Sequence, residues 1–432
     1  MRAIAYFKQN DIHFSSDLPE PRIGADDEVL IDVSWCGVCG TDLHEFLDGP
    51  IFMPKDVHFS SDLPEPRIGA DDEVLIDVSW CGVCGTDLHE YLDGPIFMPK
   101  DGETNPLSGK ELPQPLGHEF SGVVAEVGPK VTKVKVGDHV VVEASLGCLD
   151  THRWPKTRLS CTQDKPCGAC RKGFTNCCEH NGFTGLGVVG GAFAEKVVAG
   201  ERHCIKVSPD LPLDVAALVE PLSVSWHALR SAGFQKGMTA CILGAGPIGL
   251  TTIAALKGAG AKKIVVSELA QIRRDFAQSI GAEVFDPTAH GTNAAEVLKK
   301  MSGDDDGFDF AFDCSGVKAT FDMGLSVTTF HGVCVNVAIW GHKPVDYYPM
   351  LVTCKEKILT GSIGYTTLDF ESVVNALQNG DIPLDDCKKL ISGKYTLEDG
   401  WEKGFMQLMH HKDKCIKILL TPNNHGELKS EK

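Results

Sequence analysis

The chain has 432 residues, of which 43% are hydrophobic and 23% charged, and its formal net charge is −18 at pH 7. This acidic balance argues against nucleic acid or an anionic membrane as the partner, because both carry the same sign of charge. The length and composition are typical of a globular protein of two or three domains.

Neither end of the chain resembles a targeting signal. The start, MRAIAYFKQND, lacks an apolar segment and a cleavage site, and the end, ELKSEK, matches no lipidation or retention signal. No apolar run is long enough to span a bilayer. The 17 cysteines, several of them close to His and Glu, favour metal binding in a reducing compartment over a disulfide scaffold. We therefore expect a cytoplasmic protein.

A tandem repeat follows the predicted first strand in MRAIAYFKQN. Residues 11–55 and 56–100 are copies that differ at two positions, Ile12/Val57 and Phe46/Tyr91. A stacked repeat fold needs at least three units, so two copies indicate a segmental duplication or an error in the gene model. The natural hairpin partner of the first strand is residues 11–17, whereas the second copy continues without a break into DGETNPLSG. The fold could begin in one copy and finish in the other, since a looped-out middle costs little extra closure entropy.

The second copy and the sequence after it contain a candidate metal site. EVLIDVSWCGVCG predicts a half-buried strand that ends in a pair of cysteines, and GHEF follows downstream. Zinc prefers a mixture of thiolate, imidazole and carboxylate ligands, and a catalytic zinc keeps a fourth position open. We predict that its ligands are Cys84, His118 and Glu220, with Glu119 as an outer partner of His118 or an exchanging ligand.

The repeat offers alternative residues, Cys39 for Cys84 and His44 for His89. Using Cys39 would force the whole second copy into the loop before His118, and long structureless insertions are uncommon in compact domains. We therefore favour Cys84.

A cysteine-rich stretch follows a β-rich segment. SGVVAEVGPKVTKVKVGDHVVVEA gives short strands typical of a barrel or sandwich. In CTQDKPCGACRKGFTNCC, the spacing of Cys167, Cys170 and Cys178 indicates a structural zinc lobe whose fourth ligand is Cys161 or Cys148. The alternative is a cysteine-rich loop without metal.

The next segment, LDVAALVEPLSVSWHALRSAG, predicts an apolar helix with Glu220 near its start. A carboxylate there is costly to bury unless it is paired or bound to metal. The alternative is a first-turn Glu that the helix dipole favours.

Residues 240–268 contain a nucleotide-binding fingerprint. An apolar strand leads into a G-x-G-x-x-G turn, a helix and a second strand that ends at Glu268; the glycines are Gly244, Gly246 and Gly249. They permit a tight turn and close approach of a pyrophosphate to the helix N-terminus. Glu268 would bind the ribose hydroxyls and repel a 2′-phosphate, which favours NAD over NADP.

Two arginines weaken this preference, because an Arg near the ribose can accommodate a 2′-phosphate. We predict that Arg273 lies along the adenosine of the cofactor. The alternatives are that Arg273 or Arg274 meets a 2′-phosphate, or that Arg273 is a solvated helix charge.

Alternating strands and helices continue through AEVFD, FDFAFDCSG, GVCVNVAIWG and KILTGSIGYT, which predicts a doubly wound parallel sheet. The tail ends in the strand CIKILLTP and is expected to return to the first domain. We expect a catalytic domain at 1–211, a nucleotide-binding domain at 212–371 and a returning segment at 372–432.

Taken together, the cysteine pair, GHE, the cysteine lobe, VEPLSVSWHA and GAGPIG resemble the zinc-dependent medium-chain dehydrogenase/reductase family. The resemblance covers all of the chain except one copy of the repeat. It implies an α/β protein, with a GroES-like β-rich catalytic domain plus a doubly wound parallel-sheet Rossmann domain, and a homo-oligomer such as a dimer. Two features depart from the family pattern. Glu220 stands where many members have Cys, as in the polyol dehydrogenase branch, and Asp164 stands where the lobe's first Cys is expected.

The resemblance also implies an activity, the reversible oxidation of a vicinal diol (2,3-butanediol) to a hydroxyketone (acetoin), with Zn2+ and NAD. Zinc would lower the pKa of the bound hydroxyl, Thr86 and His89 would pass its proton outward, and the hydride would go to the nicotinamide. Thr86 could instead cap a helix starting at Asp87. The alternatives are a sorbitol/xylitol-type polyol dehydrogenase or an NAD-binding protein inactivated by the duplication.

Overall fold

The computed structural model describes residues 3–8, 11–15, 59–61, 63–92, 94–100, 102–304, 306–340, 344–411 and 414–422. The chain divides into two units. One comprises Met1–His58 with Tyr91–Asp93, and the other Phe59–Glu90 with Gly94–Lys432.

Apart from Tyr91 and Leu92, the described part of the first unit is an antiparallel hairpin. Its strands are β1 (Ala3–Lys8) and β2 (Asp11–Ser15), and Ala3 lies opposite Ser15. This is the pairing that the sequence predicts between the first strand and the start of the first copy. The rest of that copy, with Cys39 and His44, lies outside the described residues.

The remaining helices and strands follow in chain order. They are β3 (Glu73–Gly82), α1 (Gly85–Leu92), β4 (Glu119–Val127), β5 (His139–Val142), β6 (Ser145–Leu146), α2 (Gly168–Arg171), β7 (Gly182–Thr184), β8 (Gly187–Val189), β9 (Lys196–Gly200), β10 (Cys204–Lys206), α3 (Leu213–Ala216), α4 (Val219–Ser231), β11 (Thr239–Leu243), α5 (Pro247–Gly258), β12 (Lys263–Ser267), α6 (Gln271–Ser279), β13 (Glu283–Phe285), α7 (Ala294–Lys300), β14 (Phe308–Asp313), α8 (Lys318–Val327), β15 (Thr328–Asn336), α9 (Met350–Thr353), β16 (Ile358–Gly361), α10 (Thr367–Asn379), α11 (Leu384–Leu390), β17 (Ile391–Thr396), α12 (Met406–His410) and β18 (Lys417–Thr421). Short 3₁₀ helices lie at Cys148–Arg153, Thr175–Cys177, Glu201–His203 and Pro287–Asn293, and a π-helical turn at Gly400–Phe405.

Strand β3, which comes from the second copy, is the central strand of a seven-stranded sheet. The order is β10-β5-β4-β3-β18-β17, and β9 also pairs with β3. Nine of the ten residues of β3 are buried, more than the half that the alternating pattern predicts, because the strand has partners on both edges and α3 also contacts it. A separate small sheet contains β6, β7 and β8.

The second large sheet has six parallel strands in the order β13-β12-β11-β14-β15-β16. The chain starts at the central β11, moves outward to β13, and restarts at β14 on the other side. The carboxyl ends of β11 and β14 therefore form a switch point, where Leu243 pairs with Asp313. Ligands bind at such points in doubly wound sheets. This is the doubly wound parallel sheet that the sequence predicts.

The tail of the chain joins the first large sheet through β17 and β18, and Leu419 and Leu420 of β18 pair with Gly82 and Cys81 of β3. The single helix predicted around Glu220 is two helices, α3 and α4, separated at Ala217 and Leu218. The domain boundaries 1–211, 212–371 and 372–432 stay predictions. Within the described ranges, no helix combines the length and apolarity needed to cross a membrane.

Candidate active site

The candidate active site begins where β3 leads into α1. The Cys84 N–H donates to Asp87 Oδ2 at 2.9 Å, which satisfies a donor at the start of the helix. The Cys84 Sγ lies 3.7 Å from Thr86 Oγ1. Because α1 begins at Gly85, Thr86 lies inside its first turn, so the interpretation of Thr86 as a cap for a helix starting at Asp87 is wrong.

His118 lies directly before β4, and its buried ring faces Asp87. The distance from His118 Nδ1 to Asp87 Oδ1 is 3.4 Å, and both side chains are almost completely buried. Burial alone would lower the pKa of His118, but the charges of Asp87 and Cys84 raise it above its ordinary value. A carboxylate at one ring nitrogen orients the imidazole so that the other nitrogen is available to a metal.

The donor atoms of Cys84, His118 and Glu119 lie within 4.8 Å of one another. Neither Asp87 Oδ1 nor His118 Nδ1 has a hydrogen-bond partner among the described residues. A thiol, an imidazole and a carboxylate in a largely buried setting match the ligand preferences of zinc, so the residues present fit this metal.

Glu220 does not belong to this group of three, but it is close enough for the charges of Glu119 and His118 to affect its pKa. Burial raises the pKa of Glu220 to about 7, and the charge of Glu119 adds to the rise. Burial and the charge of Glu220 raise the pKa of the Tyr365 phenol. The assignment of Glu220 as the third ligand stays a prediction, and Glu119 is the carboxylate that the structure brings to Cys84 and His118.

Sequence reasoning missed Lys417, which pairs with Glu119. The Lys417 Nζ donates to both carboxylate oxygens of Glu119, at 2.7 and 2.6 Å, and to the Val83 carbonyl at 3.2 Å. Burial would lower the pKa of Lys417, but Glu119 raises it above its ordinary value. The sequence did contain a sign of this pair. Lys417 is the first residue of the apolar strand KILLT, where burying an unpaired charge is costly.

We expect Lys417→Met to destabilise the metal-free protein by about 3–5 kcal/mol, because it leaves the Glu119 carboxylate buried without its cation. The matched control is Lys403→Met, whose ion pair with Asp399 is solvent-exposed and contributes about 0–1 kcal/mol. Urea unfolding of both variants measures the difference. Equal effects of the two substitutions would contradict the structural role of Lys417.

Thr86 and His89, the predicted proton relay, lie three residues apart on α1 and therefore share one face of the helix. Thr86 is half-buried beside Cys84, and His89 is exposed. Thr86 thus lies beside the Cys84 thiol and His89 lies at the solvent side of the same helix face, but the proton relay itself stays a prediction.

The glycine fingerprint forms the turn between β11 and α5. Gly244 has a φ of 101°, which favours glycine, and a side chain on Gly249 would lie 2.0 Å from the Gly244 carbonyl oxygen. Around Gly246 there is open space, as close approach of a phosphate would require. Glu268 follows β12, and its carboxylate accepts hydrogen bonds from the N–H groups of Ala245 and Ala270, each at 2.8 Å.

The two arginines after Glu268 have different surroundings. Arg273 lines a groove together with Gly246 and the segment Lys414–Ile416. Arg274 is buried, donates to the Glu268 carbonyl at 2.7 Å and pairs with Asp286 at 2.9 Å. Arg273 is therefore the arginine that lines the groove at the fingerprint.

The cysteine lobe has four buried thiols whose sulfur atoms lie within 4.8 Å of one another: Cys148, Cys167, Cys170 and Cys178. Of the two candidates for the fourth member, Cys161 and Cys148, the group contains Cys148. Cys148 belongs to an upstream 3₁₀ helix and has no regular spacing to the other three cysteines. Although burial acts to raise it, hydrogen bonds from the Cys170 and Glu179 backbone lower the pKa of Cys167 to about 6. Four buried thiols in one such group fit a structural zinc.

Comparisons with known proteins agree with this architecture. Residues 70–209 match the family described as "Alcohol dehydrogenase GroES-like domain", and residues 247–379 match "Zinc-binding dehydrogenase". The chain is 59% identical over 429 residues to an (R,R)-butanediol dehydrogenase of Saccharomyces cerevisiae, which covers 99% of this chain and 100% of that protein. It is 51% identical over 433 residues to a probable diacetyl reductase [(R)-acetoin forming] 2 of the same yeast, covering 100% of this chain and 92% of that protein.

A crystal structure of 2R,3R-butanediol dehydrogenase from Bacillus subtilis aligns with a TM-score of 0.73 and 37% identity, over 84% of this chain and 96% of that one. The GroES-like domain and the Rossmann-type sheet predicted from the sequence are thereby confirmed. Both the donor chemistry and the full-length similarity lead to one conclusion: the chain belongs to the zinc-dependent medium-chain dehydrogenase/reductase family.

Proposed function

We propose that this oxidoreductase interconverts 2,3-butanediol and acetoin by hydride transfer to NAD at a zinc site. The observation that carries the proposal is the largely buried group of Cys84, His118 and Glu119, whose donor atoms lie within 4.8 Å. The full-length similarity to a yeast protein named (R,R)-butanediol dehydrogenase supports the choice of substrate.

Each residue of the site has a role in this proposal. Cys84, His118 and one carboxylate, Glu119 or Glu220, hold the metal, and Asp87 orients the His118 ring. Zinc bound by these residues would supply Lewis-acid polarisation of the diol hydroxyl. Thr86 accepts the hydroxyl proton and passes it toward His89 and solvent.

The experiment measures NAD reduction by (R,R)-2,3-butanediol before and after chelation, and again after zinc is restored. Sorbitol and xylitol are assayed at the same concentrations. We expect butanediol to give the highest kcat/KM, and we expect chelation to abolish turnover reversibly. Preference for sorbitol or xylitol would favour the polyol dehydrogenase alternative. NAD binding without turnover of any substrate by the zinc-loaded protein would favour an enzyme inactivated by the duplication.

NAD is proposed over NADP because of Glu268. Its carboxylate is largely buried and accepts two backbone N–H groups, and it has further lone pairs that can accept from ribose hydroxyls. A 2′-phosphate would meet this negative charge at short range. Arg273 in the same region would lie along the adenosine.

We expect Glu268→Ala to raise the ratio of kcat/KM for NADP to that for NAD by roughly ten- to a hundred-fold, because a repulsive charge is removed. Both coenzymes are assayed on one preparation, so the ratio does not depend on the fraction of folded protein. Glu283→Ala, at the neighbouring strand β13, is the control, because that carboxylate is exposed and pairs with Lys263. A wild-type protein that prefers NADP would show that the role given to Glu268 is wrong.

We also propose a cytoplasmic homodimer. Every cysteine in the described ranges is free, which suits a reducing compartment. Strand β16 is at the edge of the parallel sheet, and large apolar side chains are exposed on or near this edge: Phe330, Ile339, Tyr348 and Ile358. Such a surface favours pairing with a second copy. Light scattering of the purified protein tests the dimer, and a monomer at all concentrations would contradict it.

A further inference from the structure

A third group of metal-binding side chains lies outside the two groups described above. The Cys161 thiol, a Glu179 carboxylate oxygen and a His180 ring nitrogen lie within 4.8 Å of one another. Cys161 and His180 are half-buried, and Glu179 is exposed. Within the part of the chain that the structure describes, none of the three side chains has a hydrogen bond or ion pair, so their donor atoms are not engaged elsewhere.

The backbone on both sides of the group is held in place. The loop that contains Cys161 is tied at Gln163, whose N–H donates to Thr151 Oγ1 at 3.2 Å. The other segment is tied at its start, because the His180 N–H donates to Cys178 Sγ at 3.4 Å. The three donors are thus brought together by two segments whose backbone is held by hydrogen bonds outside the group of three.

The donor types determine which cation this group can bind. A thiolate, an imidazole and a carboxylate suit zinc and similar borderline divalent ions, whereas Mg²⁺ and Ca²⁺ prefer oxygen ligands alone. Tetrahedral zinc with bonds of about 2.0–2.3 Å holds its donors roughly 3.3–3.8 Å apart, which side-chain rotations can reach from the observed spacing. Three protein ligands also leave a position for water.

We propose that Cys161, Glu179 and His180 form a binding site for a zinc-like divalent cation, here called the outer cation site. It is separate from the four-cysteine group: Cys161 packs against that group but is not a member of it. Because Glu179 is exposed, a cation in the outer site exchanges readily with solvent, unlike one enclosed by four buried thiols.

The test is the zinc content of the full-length protein as a function of free zinc concentration. Wild type is compared with Cys161→Ser, Glu179→Gln and His180→Gln, and with the control Cys354→Ser, which removes an exposed thiol outside the three groups. Glu179→Gln and His180→Gln leave every residue of the other metal-binding groups in place, so a difference between their curves and that of wild type reports this site.

We expect wild type and Cys354→Ser to bind one zinc equivalent more than Cys161→Ser. Glu179→Gln and His180→Gln should shift that equivalent to at least about ten-fold higher free zinc. With Co²⁺ as the probe, Cys161→Ser should lose one thiolate-to-cobalt absorption contribution.

The outer cation site is overturned if Glu179→Gln and His180→Gln have the zinc-binding curve of wild type. This holds even if Cys161→Ser fails to fold or disturbs the neighbouring cysteines, since an exposed Glu179 can be replaced without affecting the core. Diol oxidation is measured in parallel, and we expect Glu179→Gln to retain it, which shows that the fold and the proposed active site are intact.

Discussion

Replacing Cys84 by serine is expected to lower diol turnover by about 10³-fold or more and to leave NAD binding unchanged. Serine keeps the size of the side chain but cannot supply a thiolate, and losing several kcal/mol of Lewis-acid stabilisation corresponds to that factor. NAD binding should persist because Gly244, Gly246 and Glu268 lie at the turn after β11 and the end of β12, in the other sheet. Steady-state kinetics, zinc content and NAD titration measure the three quantities.

Cys81→Ala is the matched control for this substitution. Cys81 lies in the same CGVC motif, but burial and the charges of Asp87 and Glu119 raise its pKa well above the ordinary value, so it stays a neutral thiol. We expect its turnover to stay within a few-fold of wild type. Loss of NAD binding in Cys84→Ser would indicate a folding defect rather than a lost ligand.

The same experiment decides between the two copies of the repeat. Cys39 is the first-copy counterpart of Cys84 and lies outside the described residues. We expect Cys39→Ser to keep full activity. If Cys39→Ser abolished turnover and Cys84→Ser preserved it, the catalytic thiolate would belong to the first copy.

Deleting residues 11–55 or 56–100 is expected to give an active enzyme with a higher soluble yield than the full-length chain. Either deletion joins one complete copy to MRAIAYFKQN in front and to DGETNPLSG behind, and the two products differ only at the Ile12/Val57 and Phe46/Tyr91 positions. In both products the remaining CGVC motif lies at the same distance along the chain from GHEF.

The structure gives the reason for the higher yield. Strand β3 from the second copy pairs with β4, β9 and β18, so the sheet has one place for this strand and the second copy fills it. The first copy repeats EVLIDVSW letter for letter. Apolar segments of strand-forming sequence are an aggregation hazard, and the full-length chain has two copies of this segment where either deletion has one.

The three chains are expressed under identical conditions, and soluble yield, zinc content and butanediol oxidation are measured for each. We expect equal specific activity in the two deletions. If both were insoluble or inactive while the full-length chain was active, the duplicated segment would be part of the functional fold.

The sequence alone determined the features that depend on neighbouring residues. Strand, glycine turn, helix, strand and acid follow one another within residues 240–268, and the structure has them as β11, α5, β12 and Glu268. Such short-range order follows from local backbone preferences and apolar periodicity. The parallel sheet followed in the same way, because the alternation of strands and helices leaves few topologies.

The metal groups were predictable only in part. Cys84 lies in the motif just after β3, and His118 and Glu119 lie in the motif where the adjacent strand β4 begins, and the donor types in these two motifs already indicate a metal site. Cys148 as the fourth lobe cysteine could not be distinguished from Cys161, because neither has regular spacing to the other three.

Only the tertiary structure decided which distant partners complete the site. Lys417 is 298 residues from Glu119, and the pair forms because β18 returns to β3 at the edge opposite β4. Asp87 faces His118 because α1 follows β3 while His118 precedes β4. A local sequence pattern specifies neither pairing. A buried charge needs an oppositely charged partner, but the order of the strands in the sheet determines which residue that partner is. That order depends on the packing of the whole chain.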